Sequence, residues 1–157
     1  IFKYETMKLN LNNKYNILVS WQEKELSLKE ILWDKKTILY FYPADNTPGC
    51  TLENKDFTCL KNEFNSKWYK LVWVSKNSME SHKKFVLGHD LLNDLISDPE
   101  LVLHKELWAY GEKNNYGKII QWVIRSTFVI DNTWEVIKEY KNIKATGHAA
   151  RLLKELD

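Results

Sequence analysis

Apolar residues along this chain fall into short runs separated by polar turns, and the spacing within the runs changes along the chain. TILYFY, residues 37–42, is continuous, aromatic and β-branched, which predicts a buried strand. KLVWVS, residues 70–75, predicts a second. Between them Leu52, Phe57, Leu60 and Phe64 predict a helix over 51–68 with one inward stripe. Ser78 stands as the cap of a further helix running through His82, Phe85 and Val86. LNDLIS, residues 92–97, reads as a short strand. It is followed by Asp98-Pro99, an N-cap with proline at the first helical position. RSTFVID, residues 125–131, is a third strong strand, and residues 131–134 turn into EVIKEY to make a hairpin. Thr146 then caps a final helix whose Ala149, Leu152, Leu153 and Leu156 face inward. Strands alternating with helices, then a hairpin and a helix, describe an α/β sandwich around a mixed sheet.

Composition narrows the class without changing the fold. A chain of 157 residues, 44% apolar and 28% charged, suits one globular domain and excludes a disordered one. The net charge of +2 is spread out, with no basic block for nucleic acid and no charged tail. No run approaches 18 apolar residues, and IFKYETMKLNLNNKYN lacks the apolar core of a signal peptide, so the expected location is cytoplasmic, with no membrane partner. Met7 is read as the start, leaving residues 1–6 as upstream or disordered sequence and residues 7–157 as one domain. Two cysteines in that compartment are expected to be reduced, reactive or buried rather than bridged. His82, His89, His104 and His148 show no ligand spacing, and neither a Cys-x-x-Cys nor a glycine-rich phosphate loop is present, so no metal or cofactor is expected.

The chemistry concentrates in YFYPADNTPGC, residues 40–50. A strand that breaks at Pro43, crosses a polar loop and enters a helix presents that helix's free N–H groups beside the cysteine, which favours a thiolate there. Pro48 and Gly49 fit a tight entry turn, and Thr47 can cap it or donate a hydroxyl hydrogen bond. On these grounds Cys50 is either a nucleophile or a small buried residue at a helix start.

The wording of the segment adds a family. Pro43, Thr47 and Cys50 match the pattern P-x-x-x-T-x-x-C, and YFYPADNTPGCTLE resembles the active-site segment of peroxiredoxins of the AhpC/TSA family, specifically the peroxiredoxin Q or bacterioferritin comigratory protein (BCP) subfamily. The likeness continues in order through VSKNSMESHKKF, LISDPE, AYGEK, IRSTFVID and ATGHAARLLKEL, and covers the chain from about Asn16. It implies a thioredoxin-like fold, a central mixed sheet flanked by helices, with an N-terminal β-hairpin extension. It also implies a thiol peroxidase acting on hydrogen peroxide and alkyl hydroperoxides, with thioredoxin or another thiol as reductant, in a monomer or weak dimer. Cys50 would be the peroxidatic cysteine, oxidised to a sulfenic acid. Arg125 would sit beside it and stabilise charge as the O–O bond breaks. Thr47 would hydrogen-bond the peroxide, Pro43 would shield the thiolate, and Glu53 would orient Arg125.

Two features depart from that pattern. Many members carry a resolving cysteine five residues after the peroxidatic one, and here that position is Lys55. The other thiol, Cys59, lies about 13 Å along an intact helix, so it could resolve Cys50 only if the helix unwound. Otherwise it is a small apolar residue on the helix's inner side. A one-cysteine cycle completed by an external thiol is therefore expected. A general thiol–disulfide oxidoreductase, and a degenerate redox-sensing or holdase-like module, are the other readings. Secondly, Trp21, Trp33, Trp68, Trp73, Trp108, Trp122 and Trp134 all fall where the family's wording has glycine, while the chain has only five glycines. Counting the seven as glycine would restore the ordinary share of about 7%. The reading is a gene whose UGA codons mean glycine, against genuine tryptophans filling a core. Several of the seven are expected in turns or crowded spots, Trp68 and Trp134 foremost.

Overall fold

The aromatic and β-branched runs form the centre of the sheet. In the computed structural model, which describes residues 9–33, 35–89, 91 and 93–156, β1 (Lys14–Val19) and β2 (Gln22–Ser27) form an N-terminal hairpin, followed by the short helix α1 (Leu28–Ile31). Then come β3 (Lys36–Phe41), α2 (Pro48–Cys59), α3 (Lys61–Ser66), β4 (Tyr69–Ser75), α4 (Met79–His89) and β5 (Asp94–Ser97). The remainder is α5 (Val102–Glu106), a separate hairpin of β6 (Tyr110–Asn115) and β7 (Lys118–Val123), β8 (Ser126–Ile130), β9 (Val136–Lys141) and α6 (His148–Glu155). The reading of residues 1–6 as upstream sequence, and of Met7 as the start, lies outside the described residues.

Seven strands form one mixed sheet in the order β2-β1-β5-β4-β3-β8-β9, with β3, β4 and β5 parallel and the other pairings antiparallel. Alternation along β3 divides the core between two faces. Ile38 and Tyr40, followed by Tyr42 just past the strand, meet Phe57, Phe64, Trp73 and Phe85 beneath α2, α3, α4 and α6. Leu39 and Phe41 meet Val72, Val74, Phe128 and Leu103 on the side of α1 and α5. Helices therefore cover both faces, as expected of parallel central strands. Among the described residues, no helix is long and apolar enough to cross a membrane.

Several boundaries differ from expectation. The helix read over 51–68 is two, because the backbone leaves the helix at Leu60 (φ −98°, ψ 7°) before α3 resumes. Ser78 does accept from the Ser81 amide at 3.2 Å, as a cap for α4 should. Asp98-Pro99 does not open α5 directly: the cap position is Leu101, and Pro99 and Glu100 form an intervening turn. Asp98 still receives that helix's free amides, from Val102 and His104, both at 3.0 Å. Thr146 does not cap α6; Gly147 takes the cap position at φ 72°. The β6–β7 hairpin escaped the sequence reading because its two-residue turn is Tyr116-Gly117. Both residues have positive φ, a demand that Asn-Gly signals more plainly than Tyr-Gly.

Asp98 is buried, and its carboxylate also accepts from His104 Nδ1 at 2.7 Å. Asp98→Ala would strand three donors at the start of α5. The expected loss is about 3 kcal/mol of unfolding free energy in urea titration, and a loss under about 1 kcal/mol would contradict this account.

Candidate active site

β3 delivers the chain to the carboxyl edge of the sheet, and a cluster of side chains fixes the loop that follows. Buried Asp45 accepts from Tyr42 Oη at 2.6 Å and Ser81 Oγ at 2.7 Å, and its other contact is His82 Nδ1 at 2.8 Å. Its own amide donates to Asn77 Oδ1 at 2.9 Å, and His82 Nε2 reaches the Ile96 carbonyl at 3.0 Å. The loop is thereby tied to the start of α4 and to β5. Thr47 ends it as the cap residue of α2 in extended conformation, with Pro48 at the first helical position. The Thr47 hydroxyl makes no cap bond and donates instead to the Ala44 carbonyl at 3.1 Å. Cys50 follows in the first turn, 1% exposed, with its carbonyl accepting from Asn54 Nδ2 at 2.8 Å.

Arg125 arrives from the far end of the chain. Because β8 runs antiparallel to β3, with Ser126 paired to Phe41, the residue preceding β8 lies beside the start of α2. The Arg125 carbonyl accepts from the Ile143 amide at 3.2 Å, which anchors its backbone. Its Nη2 donates to Cys50 Sγ at 3.1 Å, across 75 residues of sequence. Its Nη1 donates to Glu53 Oε1 at 2.5 Å and to Tyr40 Oη at 2.6 Å, and the Tyr40 hydroxyl itself donates to Glu53 Oε1. One guanidinium therefore bridges a thiol and a carboxyl.

The charges in this cluster follow from burial. Burial raises the Tyr40 phenol well above its ordinary value, and Glu53 beside it adds to the effect, so Tyr40 is a neutral donor. Burial also pushes the Glu53 carboxyl up to about 7, against the opposing pull of Tyr40 and Arg125. Glu53 is fully buried and its Oε2 has no hydrogen-bond partner. Burial works against the charge on Arg125, yet Tyr40, Cys50 and Glu53 hold the guanidinium protonated above its usual range. The pair is asymmetric: the guanidinium is always charged, whereas the carboxyl's charge depends on pH.

Of the residues singled out from sequence, Cys50, Glu53 and Arg125 are in direct contact. Pro43 is half-buried and lines, with Arg125, a groove of about 570 Å³ whose other walls include Val123, Ile124, Lys141 and Ile143. Thr47 lies in the same turn as Cys50 with its hydroxyl engaged elsewhere. Cys59 is exposed at the end of α2, which corrects the reading of it as an inward apolar residue, and both cysteines are free. Lys55 is exposed. Tyr40, Asp45 and His82 were not read as site residues. Alternation along β3 could have placed Tyr40 on the Cys50 face, but nothing local announces the Asp45–His82 contact, which spans 37 residues. The histidines have mostly structural partners: His104 with Asp98, His89 with Asn46, and His148 with Thr127 at 3.0 Å. Among the described residues no group of three His, Cys, Asp or Glu side chains could hold a metal.

Comparison with known proteins bears on this geometry. The AhpC/TSA family matches residues 7–139. The chain is similar to a bcp sequence of Helicobacter pylori, 45% identical over 84% of this chain and 86% of that one. It is likewise similar to Peroxiredoxin Bcp of Bacillus subtilis, 38% identical over 78% of each chain. Among solved structures it resembles Xanthomonas campestris Peroxiredoxin Q, with a TM-score of 0.84 at 30% identity over 92% of this chain and 89% of the other. The same organism's bacterioferritin comigratory protein, studied for alkyl peroxide reduction, matches with the same TM-score and identity over 92% and 90%.

Two buried groups give opposite dependences of stability on pH. Glu53, raised in the folded state, contributes stability that is complete below its unfolded value near 4.5 and lost as pH rises through about 7. His148 is lowered to about 4, by burial first and by Arg151 next, so its contribution is complete above 6.5 and lost as pH falls through about 4. Each is worth up to about 3 kcal/mol, and in the parent they largely cancel. Glu53→Gln removes the first only. Its unfolding free energy should fall more steeply than the parent's as pH drops from 6.5 to 4, a comparison made by urea titration across that range.

Proposed function

The chain belongs to the AhpC/TSA family as a peroxiredoxin of the Bcp/PrxQ type, and from that premise we propose that Cys50 takes an oxygen from a hydroperoxide under the charge of Arg125. The observation that carries the assignment is the 3.1 Å hydrogen bond from Arg125 Nη2 to Cys50 Sγ at the first turn of α2. The helix end and the guanidinium both place positive charge beside the sulfur, which attacks as its thiolate. The thiol gives up its proton, the thiolate forms a bond to the terminal oxygen of ROOH, the O–O bond breaks, and the departing alkoxide takes up that proton as ROH. Sulfur is oxidised to the sulfenic acid and the peroxide is reduced. Negative charge grows on the leaving oxygen as the bond stretches, and the guanidinium is already desolvated and in place to meet it.

Each neighbour has a part in this reading. Tyr40 and Glu53 hold Nη1, so that Nη2 points at sulfur. Tyr40 is thus a positioning residue that acts through Arg125. Thr47, freed from the Ala44 carbonyl by rotation of its hydroxyl, donates to the peroxide. Pro43 keeps water off the sulfur from the groove side. Hydrogen peroxide and alkyl hydroperoxides are the substrates. The alkyl peroxide reduction of the Xanthomonas relative and the partly apolar groove walls support the organic ones.

The second half of the cycle uses an outside thiol, because Lys55 stands at the usual resolving position and Cys59 lies at the other end of α2. A thiol of thioredoxin or of a small reductant attacks the sulfenic sulfur, releasing water and leaving a mixed disulfide. A second thiol then displaces Cys50 and carries away the disulfide. The sum is ROOH and two thiols to ROH, water and a disulfide, run by the single domain of residues 7–157.

Stopped-flow oxidation followed by steady-state turnover tests the assignment. Cys50→Ser should show neither phase, and Arg125→Gln should slow the first oxidation by about 10²–10³-fold with its fold intact. Tyr40→Phe should slow it less, by roughly 10-fold, because Glu53 still holds Nη1. Cys50 reacting with peroxide no faster than a free thiol would point to a binding module instead. Cys59→Ser should leave turnover unchanged with small thiols and thioredoxin alike. Loss of thioredoxin turnover with a normal first oxidation would end the one-cysteine cycle.

A further inference from the structure

Nine non-glycine residues have φ in the left-handed region among the described residues, and four of them are tryptophan: Trp21 (67°), Trp68 (70°), Trp108 (57°) and Trp134 (67°). The chain has seven tryptophans in 157 residues, so more than half of one rare type occupies a backbone region that bulky side chains avoid. Two of the other five are asparagine, which tolerates this region.

Each of the four stands in a slot that backbone geometry reserves for glycine. Trp21 is the second residue of the two-residue turn between β1 and β2, after Ser20 at φ 48°, the turn type that favours Asn-Gly. Trp134 closes the β8–β9 turn, its amide donating to the Asp131 carbonyl at 3.1 Å, next to a register shift in the pairing. Trp68 follows Lys67, the residue that caps the end of α3, with its amide on the Asn65 carbonyl at 2.9 Å. Trp108 follows α5: its amide reaches the Lys105 carbonyl at 3.2 Å and the Ala109 amide reaches His104 at 2.7 Å, a complete Schellman pair around a residue that is ordinarily glycine.

Burial does not compensate for these positions. Trp68 is 77% exposed, Trp21 61% and Trp108 45%. Trp134 is half-buried with its indole N–H shut away from any acceptor. Lysine ammonium groups lie over Trp108 (Lys141) and Trp134 (Lys29), which any aromatic face would attract. Trp33 and Trp122 have ordinary backbone, and Trp73 is packed against Tyr40 and Phe57 in the core. The backbone gives no reason to replace those three.

We propose that the natural polypeptide carries glycine at positions 21, 68, 108 and 134, encoded by UGA codons that its source cells read as glycine. The proposal is independent of the peroxidase assignment and is read from the backbone. Its direct test is tandem mass spectrometry of the protein purified from its source cells, together with the gene's codons. Glycine at all four positions and UGA at each is the expected result. Tryptophan in any of the four native peptides, or UGG at any of the four, overturns it. A second arm uses recombinant protein. The quadruple Trp→Gly variant should melt higher than the seven-tryptophan chain by roughly 10 °C or more. The matching quadruple Trp→Ala variant should gain clearly less, since its Cβ atoms remain in the left-handed region. Equal melting of the alanine and glycine variants would mean that the indoles, not the backbone, cause the difference, and would also overturn the proposal.

Discussion

A single guanidinium holds this site together. Arg125 binds the sulfur of Cys50 with one nitrogen and the Glu53–Tyr40 pair with the other, so that α2, β3 and the entry to β8 meet on one side chain. A partly buried cation needs a counter-charge, and here the Glu53 carboxyl is placed to supply it against the cost of its own burial. When Glu53 is ionised it satisfies the guanidinium and lessens what remains for sulfur. When Glu53 is protonated its charge is exchanged for a neutral carboxyl, and the guanidinium keeps its hydrogen bond to Cys50 Sγ. The raised carboxyl, near 7, places that exchange within the neutral range. The sulfur, the carboxyl and the guanidinium are therefore one hydrogen-bonded unit.

That unit depends on two features of the scaffold. One is topological: antiparallel pairing of β8 with β3 brings Arg125 to the carboxyl edge of β3, where the chain leaves toward α2. A parallel neighbour there would have put the start of its strand at the opposite edge. The other is the Asp45 cluster, which fastens the connecting loop to α4 and β5 before the helix begins. The loop reaches Thr47 with little freedom left, and the sulfur's position is set before Arg125 contributes.

Local sequence made the central elements and the thiol legible. Continuous aromatic and β-branched runs mark β3, β4 and β8, and a strand breaking into Thr-Pro-Gly-Cys marks a helix entry whose first turn holds a cysteine. What it could not show was anything decided by partners distant in the chain. The role of Asp45 appears only when His82 folds against it, and Tyr40 looks like one more core aromatic until its hydroxyl is found between Glu53 and Arg125. Helix ends were misread for a local reason. Asp98 and Thr146 have the chemistry of caps, but left-handed residues at Leu101 and Gly147 displace the first turn beyond them. The β6–β7 hairpin was hidden by the same kind of residue, Tyr116, in a slot where asparagine would have announced it.

What an oxidised Cys50 could react with follows from where the two thiols stand. An intact α2 separates Cys50 from Cys59 by nine residues, about 13 Å of rise, while a disulfide needs Cα atoms within about 7 Å. Closing that gap would dissolve the helix turn that holds both Glu53 and the sulfur against Arg125. An internal disulfide would therefore cost the contacts among Cys50, Glu53 and Arg125. An external thiol meets a different barrier. Cys50 is almost wholly covered, and Arg125, which hydrogen-bonds its sulfur, lines the neighbouring groove. A small thiol would need only that side chain to shift, whereas a protein thiol would have to bring its own sulfur into a recess. Without a cysteine at position 55, an external thiol would reach the sulfur only as the first turn of α2 opens, against the same hydrogen bonds that hold Cys50 to Arg125.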